Sequence, residues 1–387
     1  MSGSAEPESH DVVVAGAGPV GATFALALAE ADLDVVALDA RAAGEIARGD
    51  RSLALSHGSR LILERLGVWS RIGATPAAVT PIAAIDISQA GGFGAMRLTA
   101  AEQDLPALGY VVSYRALQAA LDVALAATPI AVRHATRVAA IGPGAAHARI
   151  TPEHGAPLKA RLAVAADGAG ANVNGVVRRR RDYGQVAMVA KVWLDRPHHG
   201  VAVERFTPSG PVALLPEGDH CGLVWTLSPD EATRTLALPD AAFIAALERH
   251  AGAAVRGITR VAERRTFPLV LEYAASVVAP HVALIGNAAQ ALHPIAGQGF
   301  NLGLRDAWEL AQHAIEHRAT LGDPAMLARY AARRARDRRL GIAFTNGLVH
   351  LFGGTALRIP RGLGLALLDA LPPVRRAFTR VMIHGWR

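Results

Sequence analysis

The sequence predicts a mixed α/β fold, because short apolar strands alternate with helical runs and two strands end in glycine-rich turns. The first of these turns, residues 16–21, follows the apolar run 11–15. The second lies between the apolar run 282–285 and a helix expected to begin near Asn301. Such turns present backbone N–H groups at a helix N-terminus, where an anionic ligand is stabilised. Their positions at opposite ends of the chain suggest one long ligand held at both ends.

The first turn has the pattern that places a dinucleotide pyrophosphate against a helix. Gly16, Gly18 and Gly21 give the spacing G-x-G-x-x-G between a strand and a helix expected over residues 22–31. The first glycine permits the tight turn, the second lets the backbone approach the pyrophosphate, and the third lets helix pack on strand. Because strand, turn and helix occur in the required order, we predict a Rossmann-like nucleotide site, with FAD as the candidate cofactor.

An acidic residue follows this unit at the distance expected of a ribose ligand. A second apolar run, residues 34–38, ends at Asp39, 18 residues after Gly21. The carboxylate of Asp39 can accept a hydrogen bond from a ribose hydroxyl. Arg41 comes two residues later, and two alternatives stay open for it: contact with the adenine ribose, or a solvated loop. The turn alone does not distinguish NAD from FAD.

The composition indicates a globular chain with a basic surface. The 387 residues are 51% hydrophobic and 19% charged, which is enough for a large core and two closely joined domains. The formal net charge is +7, and Lys159 and Lys191 are the only lysines among 40 basic residues. Such a surface favours anionic partners such as NADPH phosphates or acidic lipid headgroups. No nucleic-acid-binding motif accompanies it, so we expect no nucleic-acid partner.

Cysteine content and hydropathy indicate the compartment. Cys221 is the only cysteine, which excludes an internal disulfide and a cysteine-based metal cluster and fits a reducing compartment. His198 and His199 resemble a metal pair, but no third ligand follows at a suitable spacing, so we expect no metal site. Since we find neither an apolar signal segment nor a run of about 18 apolar residues, we expect a cytoplasmic protein. Peripheral contact with the inner face of a membrane stays open.

Three segments in a fixed order carry a resemblance to one family. Asp167 and Gly168 end the apolar run 163–166, and residues 286–303 form the second glycine-rich turn. An Asp-Gly pair alone is only a turn signal. Together with G-x-G-x-x-G, the set resembles the single-component FAD-dependent aromatic hydroxylases, the para-hydroxybenzoate hydroxylase superfamily. The ubiquinone-biosynthesis branch, in particular the 2-polyprenyl-6-methoxyphenol hydroxylases, is similar to residues 51–56, 63–69, 182–185, 292–306 and 371–373.

The resemblance covers nearly the whole chain and implies which residues hold FAD. The residues implied at the adenosine and pyrophosphate are Gly16, Gly18, Gly21, Asp39 and the backbone of Val138, and Arg51 and Arg115 match arginines that lie along the FAD. Asp167 and Gly168 match a motif shared between flavin and nicotinamide binding. Asn287 takes the place of the aspartate that holds the ribitol chain. The residues implied along the isoalloxazine ring are Pro294, Gly297, Gly299 and Asn301.

The chain departs from the family pattern at two places. Asn287 is neutral, and exchanging a charge-assisted hydrogen bond for a neutral one costs about 1 kcal/mol, so we expect weaker but retained FAD binding. After Gly168 the family usually has a serine and, a few residues later, an arginine. Here arginines return only at residues 178–181. We therefore expect different contacts in this stretch, including those that handle the nicotinamide.

The family fold implies a discontinuous FAD domain and an inserted, smaller β-sheet substrate domain. The FAD domain would comprise residues 1–82, 110–182 and 274–340, the substrate domain residues 83–109 and 183–273, and a C-terminal helical region residues 341–387. Short strand-like runs separated by turn residues agree with the substrate domain.

The C-terminal region is apolar with scattered arginines. We expect helices packed over the FAD domain; the alternative is a lipid-facing or partner-facing surface, suited to a polyprenylated substrate or to a quinone-biosynthesis complex. The arginine cluster at residues 333–339 is interpreted as a solvated helix face, with contact to anionic lipid or a partner as the alternative.

The resemblance implies that FAD is reduced by NADPH or NADH and reacts with O2, after which a C4a-hydroperoxide transfers one oxygen to a polyprenylated phenol of ubiquinone biosynthesis. Backbone N–H groups near residues 299–302 would stabilise charge on the reduced flavin. Pro294 would fix the backbone beside the reacting oxygen, and the apolar loop 294–296 would exclude water. His293 and Gln298 are further candidate catalytic residues, although His293 is equally consistent with a structural role. The sequence identifies no base for the phenol.

Other functions stay open at this stage. They are hydroxylation of another aromatic compound or at a different ring position, a flavin oxidase or prenyl reductase on the same fold, and a non-catalytic scaffold with vestigial FAD. A tryptophan-type halogenase is excluded, because its Trp-x-Trp-x-Ile-Pro segment is missing and all five tryptophans here are isolated.

Overall fold

A computed structural model describes residues 7–45, 51–74, 78–252, 255–352 and 357–386. Its strands are β1 Glu8–Ala15, β2 Val35–Leu38, β3 Ser52–Ser56, β4 Val79–Ile82, β5 Ala84–Gln89, β6 Ala95–Thr99, β7 Gly109–Ser113, β8 Ala131–Arg133, β9 Val138–Gly142, β10 Ala148–Pro152, β11 Leu158–Ala165, β12 Arg178–Leu194, β13 Val201–Thr207, β14 Gly210–Glu217, β15 His220–Leu227, β16 Ile258–Ala274, β17 Val278–Ala279, β18 Val282–Leu284 and β19 Gln290–Ala291. Its helices are α1 Pro19–Ala27, α2 His57–Arg65, α3 Trp69–Gly73, α4 Tyr114–Ala126, α5 Pro229–Leu236, α6 Asp240–Ala251, α7 Gln298–Glu316, α8 Pro324–Phe352, α9 Arg358–Ala370 and α10 Pro372–His384. Short 3-10 turns occupy Ala101–Gln103, Gly286–Ala288, Ile295–Gly297 and Arg318–Thr320.

The first sheet has the order β17-β18-β11-β1-β2-β8, with β10 and β9 continuing from β11. The strands from β18 to β8 are parallel. The apolar runs of β1, β2, β11 and β18 are buried, as a parallel sheet requires, whereas the edge strand β8 is partly exposed. The predicted strands at residues 11–15, 34–38, 163–166 and 282–285 all lie in this sheet. Because parallel strands end at one edge, the turns that follow β1, β2, β11 and β18 lie at the same edge.

The second sheet has the order β19-β16-β12-β15-β14-β13-β5-β6. One face packs on α6, where Met188, Trp225 and Phe243 are buried together. A three-stranded sheet, β3-β7-β4, contributes Val111 to a small apolar cluster shared with the second sheet. The mixed α/β architecture is confirmed. The domain boundaries stay a prediction, and the predicted boundary at residue 182 falls inside β12, which continues through it without interruption.

The C-terminal helices cover the other face of the second sheet. Leu365 of α9 and Ile383 of α10 share a buried cluster with Met96, Leu98 and Phe206. The expectation that these helices pack over the FAD domain agrees with the structure for one of them: α10 contacts α2 and β3, which belong to the predicted FAD domain, whereas α9 packs mainly on β6 of the second sheet. Within the described ranges, every helix is too short or too polar to cross a membrane.

The arginine cluster at residues 333–339 is only partly solvated. Arg334 is 5% exposed. It donates to Asp306 and Asp337, each at 2.8 Å. Arg338 donates to the Gln290 side chain at 3.0 Å. The interpretation of this cluster as a solvated face was wrong for these two residues, because buried carboxylate and amide groups on α7, α8 and β19 need charged or polar partners.

Candidate functional site

The first glycine turn is closed by backbone contacts except at one position. Gly16 has φ +96°, and a Cβ atom there would lie 2.7 Å from Cα of Asp167. At Gly21 a Cβ atom would lie 1.9 Å from the carbonyl oxygen of Gly16. At Gly18, the N-cap of α1, a Cβ atom would meet nothing within 4 Å, and no side chain caps the helix. The turn therefore leaves the N-terminal N–H groups of α1 open on the Gly18 side, as pyrophosphate binding requires.

Asp39 is held tightly at the end of β2. It is 4% exposed. Its Oδ2 accepts from the Ala17 N–H at 3.0 Å, and its Oδ1 accepts from the Arg41 N–H at 2.7 Å. The Arg41 guanidinium donates to both oxygens and also to Asp122. These contacts use the four lone-pair positions of the Asp39 carboxylate. Arg41 thus lies beside the predicted ribose ligand rather than in a solvated loop, and a ribose hydroxyl would replace its guanidinium on Asp39.

The turn after β18 meets the first turn. Gly286 has φ +59°, and a Cβ atom there would lie 3.0 Å from the Val20 side chain. At Gly303 on α7, a Cβ atom would lie 3.0 Å from Cα of Gly286. Asn287 between them is exposed and makes no hydrogen bond with a described residue. The turns from opposite ends of the chain are therefore neighbours, and the Asn287 amide is available to a ligand that contacts both.

Arg51 and Arg115 lie next to each other. Arg51 immediately precedes β3, and Arg115 is the second residue of α4, which directly follows β7. The first residue of β3 pairs with the last residue of β7, so these two chain positions are adjacent. Arg51 stacks on the Tyr114 ring at 4.7 Å, and both arginines are exposed.

The remaining predicted nucleotide contacts lie close to the two turns. Val138 begins β9, and two residues earlier Thr136 donates its N–H to the Asp39 carbonyl at 2.8 Å. Asp167 abuts Gly16, as described above, and Gly168 has φ +95°. Each of these predicted contacts is therefore near Asp39 or the first glycine turn.

Arg178 is a support that the sequence did not reveal. Its Nη1 donates to the carbonyl of Ala288 at 2.8 Å, and its Nε donates to Glu272 at 2.6 Å. Arg178 is one of the arginines that return late after Gly168, and it fixes the residue that follows Asn287. In the sequence, the only indication of this role was the late position of the arginine run after Gly168.

Asn301 holds the loop at residues 293–300 rather than facing a ligand. It is 3% exposed. Its Oδ1 accepts from the Ser56 N–H at 2.8 Å and the Ser59 hydroxyl at 2.7 Å. Its Nδ2 donates to the carbonyls of Ala54 at 2.9 Å and Gly297 at 2.8 Å. Because its amide is fully used, Asn301 is a positioning residue for the loop.

The candidate catalytic residues of this loop have different surroundings. His293 is 1% exposed, and its Nδ1 accepts from the Ile295 N–H at 3.2 Å. We therefore assign the ring proton to Nε2, which is buried without a partner among the described residues. Burial lowers the pKa of His293 to about 4, so the ring is neutral at neutral pH. Gln298 donates to the Met382 carbonyl of α10 at 3.4 Å. Pro294 is exposed, and the Ala296 side chain lies outside the described set.

An apolar cavity of about 410 Å³ adjoins this loop. Its walls include the face of the second sheet that points away from α6, helices α8 to α10, and the loop residues 293–295 and 297. The ionisable residues on its wall are Glu204, His293 and Arg361. Thr226 adds a buried hydroxyl without a hydrogen-bond partner in the described part of the chain. The cavity thus offers an apolar volume with a few polar atoms beside the predicted flavin loop.

Known proteins are similar to this chain in sequence. The family described as FAD binding domain matches residues 9–341. The ubiquinone hydroxylase UbiL of Rhodospirillum rubrum is 36% identical, over 98% of this chain and 90% of its own length. The 3-demethoxyubiquinol 3-hydroxylase of Escherichia coli is 30% identical, over 95% of this chain and 96% of its own. The chain belongs to the ubiquinone-biosynthesis FAD hydroxylases.

This FAD-dependent monooxygenase shares its fold with solved relatives. The p-nitrophenol 4-monooxygenase PnpA from Pseudomonas putida DLL-E4 superposes with a TM-score of 0.80 and 20% sequence identity. The match covers 98% of the monooxygenase and 100% of that chain.

The residues present in the monooxygenase fit FAD. The open side of Gly18 and the Asn287 amide, which has no hydrogen-bond partner among the described residues, would provide the two ends of a binding surface. The loop before α7 carries Gly297 in the left-handed conformation at φ +60°, and no side chain caps that helix. The N-terminal N–H groups of α7 are therefore suited to a flavin that gains negative charge.

Sequence reasoning missed Glu204 and Thr226 on the cavity wall. Each lies in a short strand that was recognised only as strand-like. The alternation of residues along β13 could have identified Glu204. Its side chain lies on the same strand face as Ala202 and Phe206, and that face is otherwise apolar.

Proposed function

We propose that this monooxygenase hydroxylates the ring of a polyprenylated phenol, 2-polyprenyl-6-methoxyphenol, in ubiquinone biosynthesis, using O2 and NADPH or NADH. Bound FAD supplies the reduction of O2 and the transfer of one oxygen atom. The protein holds the phenol, excludes water and positions the flavin loop.

The observation that carries this proposal is the cavity. Its volume of about 410 Å³ lies in the range of small-molecule sites, about 300–1,000 Å³. Side chains such as Ile85, Met96, Phe206 and Leu365 line it, which suits a prenyl tail better than a polar aromatic acid. The few polar atoms lie on Glu204, Thr226 and His293, and they suit a phenol head group. Relatives named as a ubiquinone hydroxylase and a 3-demethoxyubiquinol 3-hydroxylase support a ring hydroxylation in the same pathway.

The residues proposed to hold FAD follow from the geometry of the turns. The N–H groups beside Gly18 would bind the pyrophosphate, Asp39 the ribose and Asn287 the ribitol. The N-terminus of α7 would lie along the isoalloxazine ring. Pro294 would face the reacting oxygen from the rim of the cavity.

Lipid analysis of a strain that lacks the protein tests the proposal. Grown with oxygen, this strain should accumulate 2-polyprenyl-6-methoxyphenol and lose ubiquinone, and the wild-type gene should restore both levels. A variant with Gly18→Trp, which blocks the open side of the turn, should fail to restore them. Unchanged ubiquinone in a strain without a redundant hydroxylase would exclude this substrate, whereas accumulation of a different precursor would assign another ring position.

We further propose that α9 rests on an anionic membrane, from which an apolar substrate reaches the cavity. Ile359, Leu363 and Leu367 are 58–60% exposed on one face of α9, while Leu365 lines the cavity from the other. Residues 357–386 carry five arginines and one aspartate. An exposed apolar stripe combined with excess positive charge is the pattern of an interfacial helix.

Sedimentation with lipid vesicles tests this contact. The purified protein should bind vesicles that contain phosphatidylglycerol more strongly than vesicles of phosphatidylcholine alone. Changing Ile359, Leu363 and Leu367 to serine should weaken binding at least about tenfold, whereas Val123→Ser, an equally exposed residue on α4, should not. Equal binding by all proteins would exclude α9 as the contact.

A further inference from the structure

We propose that Glu204 accepts the proton of the substrate's phenol hydroxyl inside the cavity. This inference rests on the proposed function, since it requires a phenol in the cavity. It supplies the base that the sequence did not reveal.

Glu204 lies on the cavity side of the second sheet. Along β13, Ala202, Glu204 and Phe206 alternate onto one face, and all three line the cavity. The residues paired with Glu204 on the neighbouring strands are Ile87 of β5 and Ala213 of β14, and both also line the cavity. The Glu204 carboxyl therefore projects from among apolar side chains into the space for the substrate.

No described residue neutralises this carboxyl. Glu204 makes no hydrogen bond or ion pair with any residue in the described ranges. Of the other ionisable groups on the wall, His293 is neutral and Arg361 donates to the Leu351 carbonyl. Arg205 follows on the opposite face of β13. An unpaired carboxyl in an apolar cavity costs stability, so its presence indicates a role toward a ligand.

Its surroundings make the carboxylate a stronger base than usual. Burial raises the pKa of Glu204 to about 8. For a phenol with a pKa near 10, the equilibrium constant for proton transfer to an ordinary glutamate is about 10⁻⁶, and for transfer to Glu204 it is about 10⁻². As pH rises through about 8, the ionised fraction of Glu204 increases, and so does the fraction able to accept a proton.

The proposed step is a simple proton transfer. The phenol O–H bond breaks, its electron pair stays on the ring oxygen, and a new O–H bond forms on Glu204. The resulting phenolate is a more electron-rich ring and reacts faster with an electrophilic oxygen. Nε2–H of His293 is an additional donor on the same wall for the phenolate oxygen. When the hydroxylated ring carbon then releases its hydrogen as a proton to water and the ring becomes aromatic again, Glu204 returns its own proton to the ring oxygen, so that the phenol hydroxyl and the carboxylate are both restored.

The test compares two substrates that differ in acidity. They are 2-farnesylphenol and its more acidic 3,5-difluoro analogue, which carry the same tail. FAD-loaded wild type, Glu204→Gln and Glu204→Asp are assayed for hydroxylated product between pH about 6 and about 10, a range that spans the glutamate and phenol pKa values discussed above. Asp86→Asn serves as the control, because Asp86 lies on the neighbouring strand β5 and pairs with Arg97 instead of lining the cavity. Binding of each phenol to the oxidised proteins is measured separately from the flavin absorbance.

The inference predicts a loss that depends on phenol acidity. Glu204→Gln should lower kcat about 100-fold with 2-farnesylphenol, about tenfold with the difluoro analogue, and should abolish the rise in rate through pH about 8. Glu204→Asp should recover part of the rate, and the control should match wild type.

Two outcomes would overturn the inference, and they differ in what they mean. Equal losses with both phenols at unchanged binding would show that Glu204 has a structural role only, and the proposed function would stand. If neither phenol binds to the oxidised wild type, the proposed function fails and the inference fails with it.

Discussion

The glycine turns around Gly16 and Gly286 and the cavity wall around Glu204 are specified by the chain in different ways. In the turns, close contacts at Gly16 and Gly21 leave room only for glycine, and the glycines of the first turn follow a short, fixed spacing in the sequence. On the cavity wall, apolar side chains come from seven strands and three helices spread over about 300 residues. A cofactor that stays the same across a family requires a fixed backbone, whereas a substrate pocket can change through single side chains.

The largest effect expected from this difference concerns two glycines of the same turn. Gly16→Ala places a Cβ atom against the Asp167 backbone at φ +96°, so we expect a loss of about 4 kcal/mol or failure to fold. Gly18→Ala has open space, so we expect a normal thermal unfolding temperature without FAD and weaker FAD binding. Unfolding curves with and without added FAD measure both. A stable, FAD-binding Gly16→Ala protein would contradict the close contact.

The next largest effect is expected at the junction between the predicted cofactor side and the cavity wall. Arg334 connects α7, which begins at the flavin loop, to α8, which lines the cavity. Arg334→Met leaves Asp306 and Asp337 with an unbalanced buried charge, and we expect a loss of about 3 kcal/mol in unfolding free energy. Arg333→Ala, which breaks only the exposed pair with Glu309, should cost less than about 1 kcal/mol. Denaturant unfolding measures both, and similar losses would show that the buried network carries little stability.

The smallest effect should be confined to the cavity wall. Ala213→Leu adds volume next to Glu204 without touching a turn, so we expect unchanged FAD content and a KM for a prenylated phenol raised about tenfold. The matched change Ala119→Leu, on the exposed side of α4, should alter neither value. Steady-state kinetics and flavin absorbance provide the measurement. Loss of FAD from Ala213→Leu would show that wall and turns are not independent.

The turn geometry of the predicted cofactor side could be read from the sequence because its signals are local, whereas the contacts of these residues with FAD stay a prediction. Gly16, Gly18, Gly21 and Asp39 follow a fixed spacing, and the structure brings them beside Asp167 and Asn287. Glu204 could not be predicted as a site residue, since its role depends on which strands and helices surround it. The position of α9 on β6 was missed for the same reason: an apolar face identifies a buried surface but not the surface that it meets.

The pairing of Asp39 with Arg41 has a consequence for the rate of cofactor exchange. Because the Arg41 guanidinium occupies the Asp39 carboxylate, binding of a ribose to Asp39 as proposed would require this ion pair to open during FAD uptake. The apoprotein should therefore load FAD more slowly than diffusion allows. Asp39 is nearly buried, so added salt weakens its attraction to Arg41 only slightly and should change the loading rate little. We therefore expect the opening of this ion pair to limit how fast a newly made chain becomes an active enzyme.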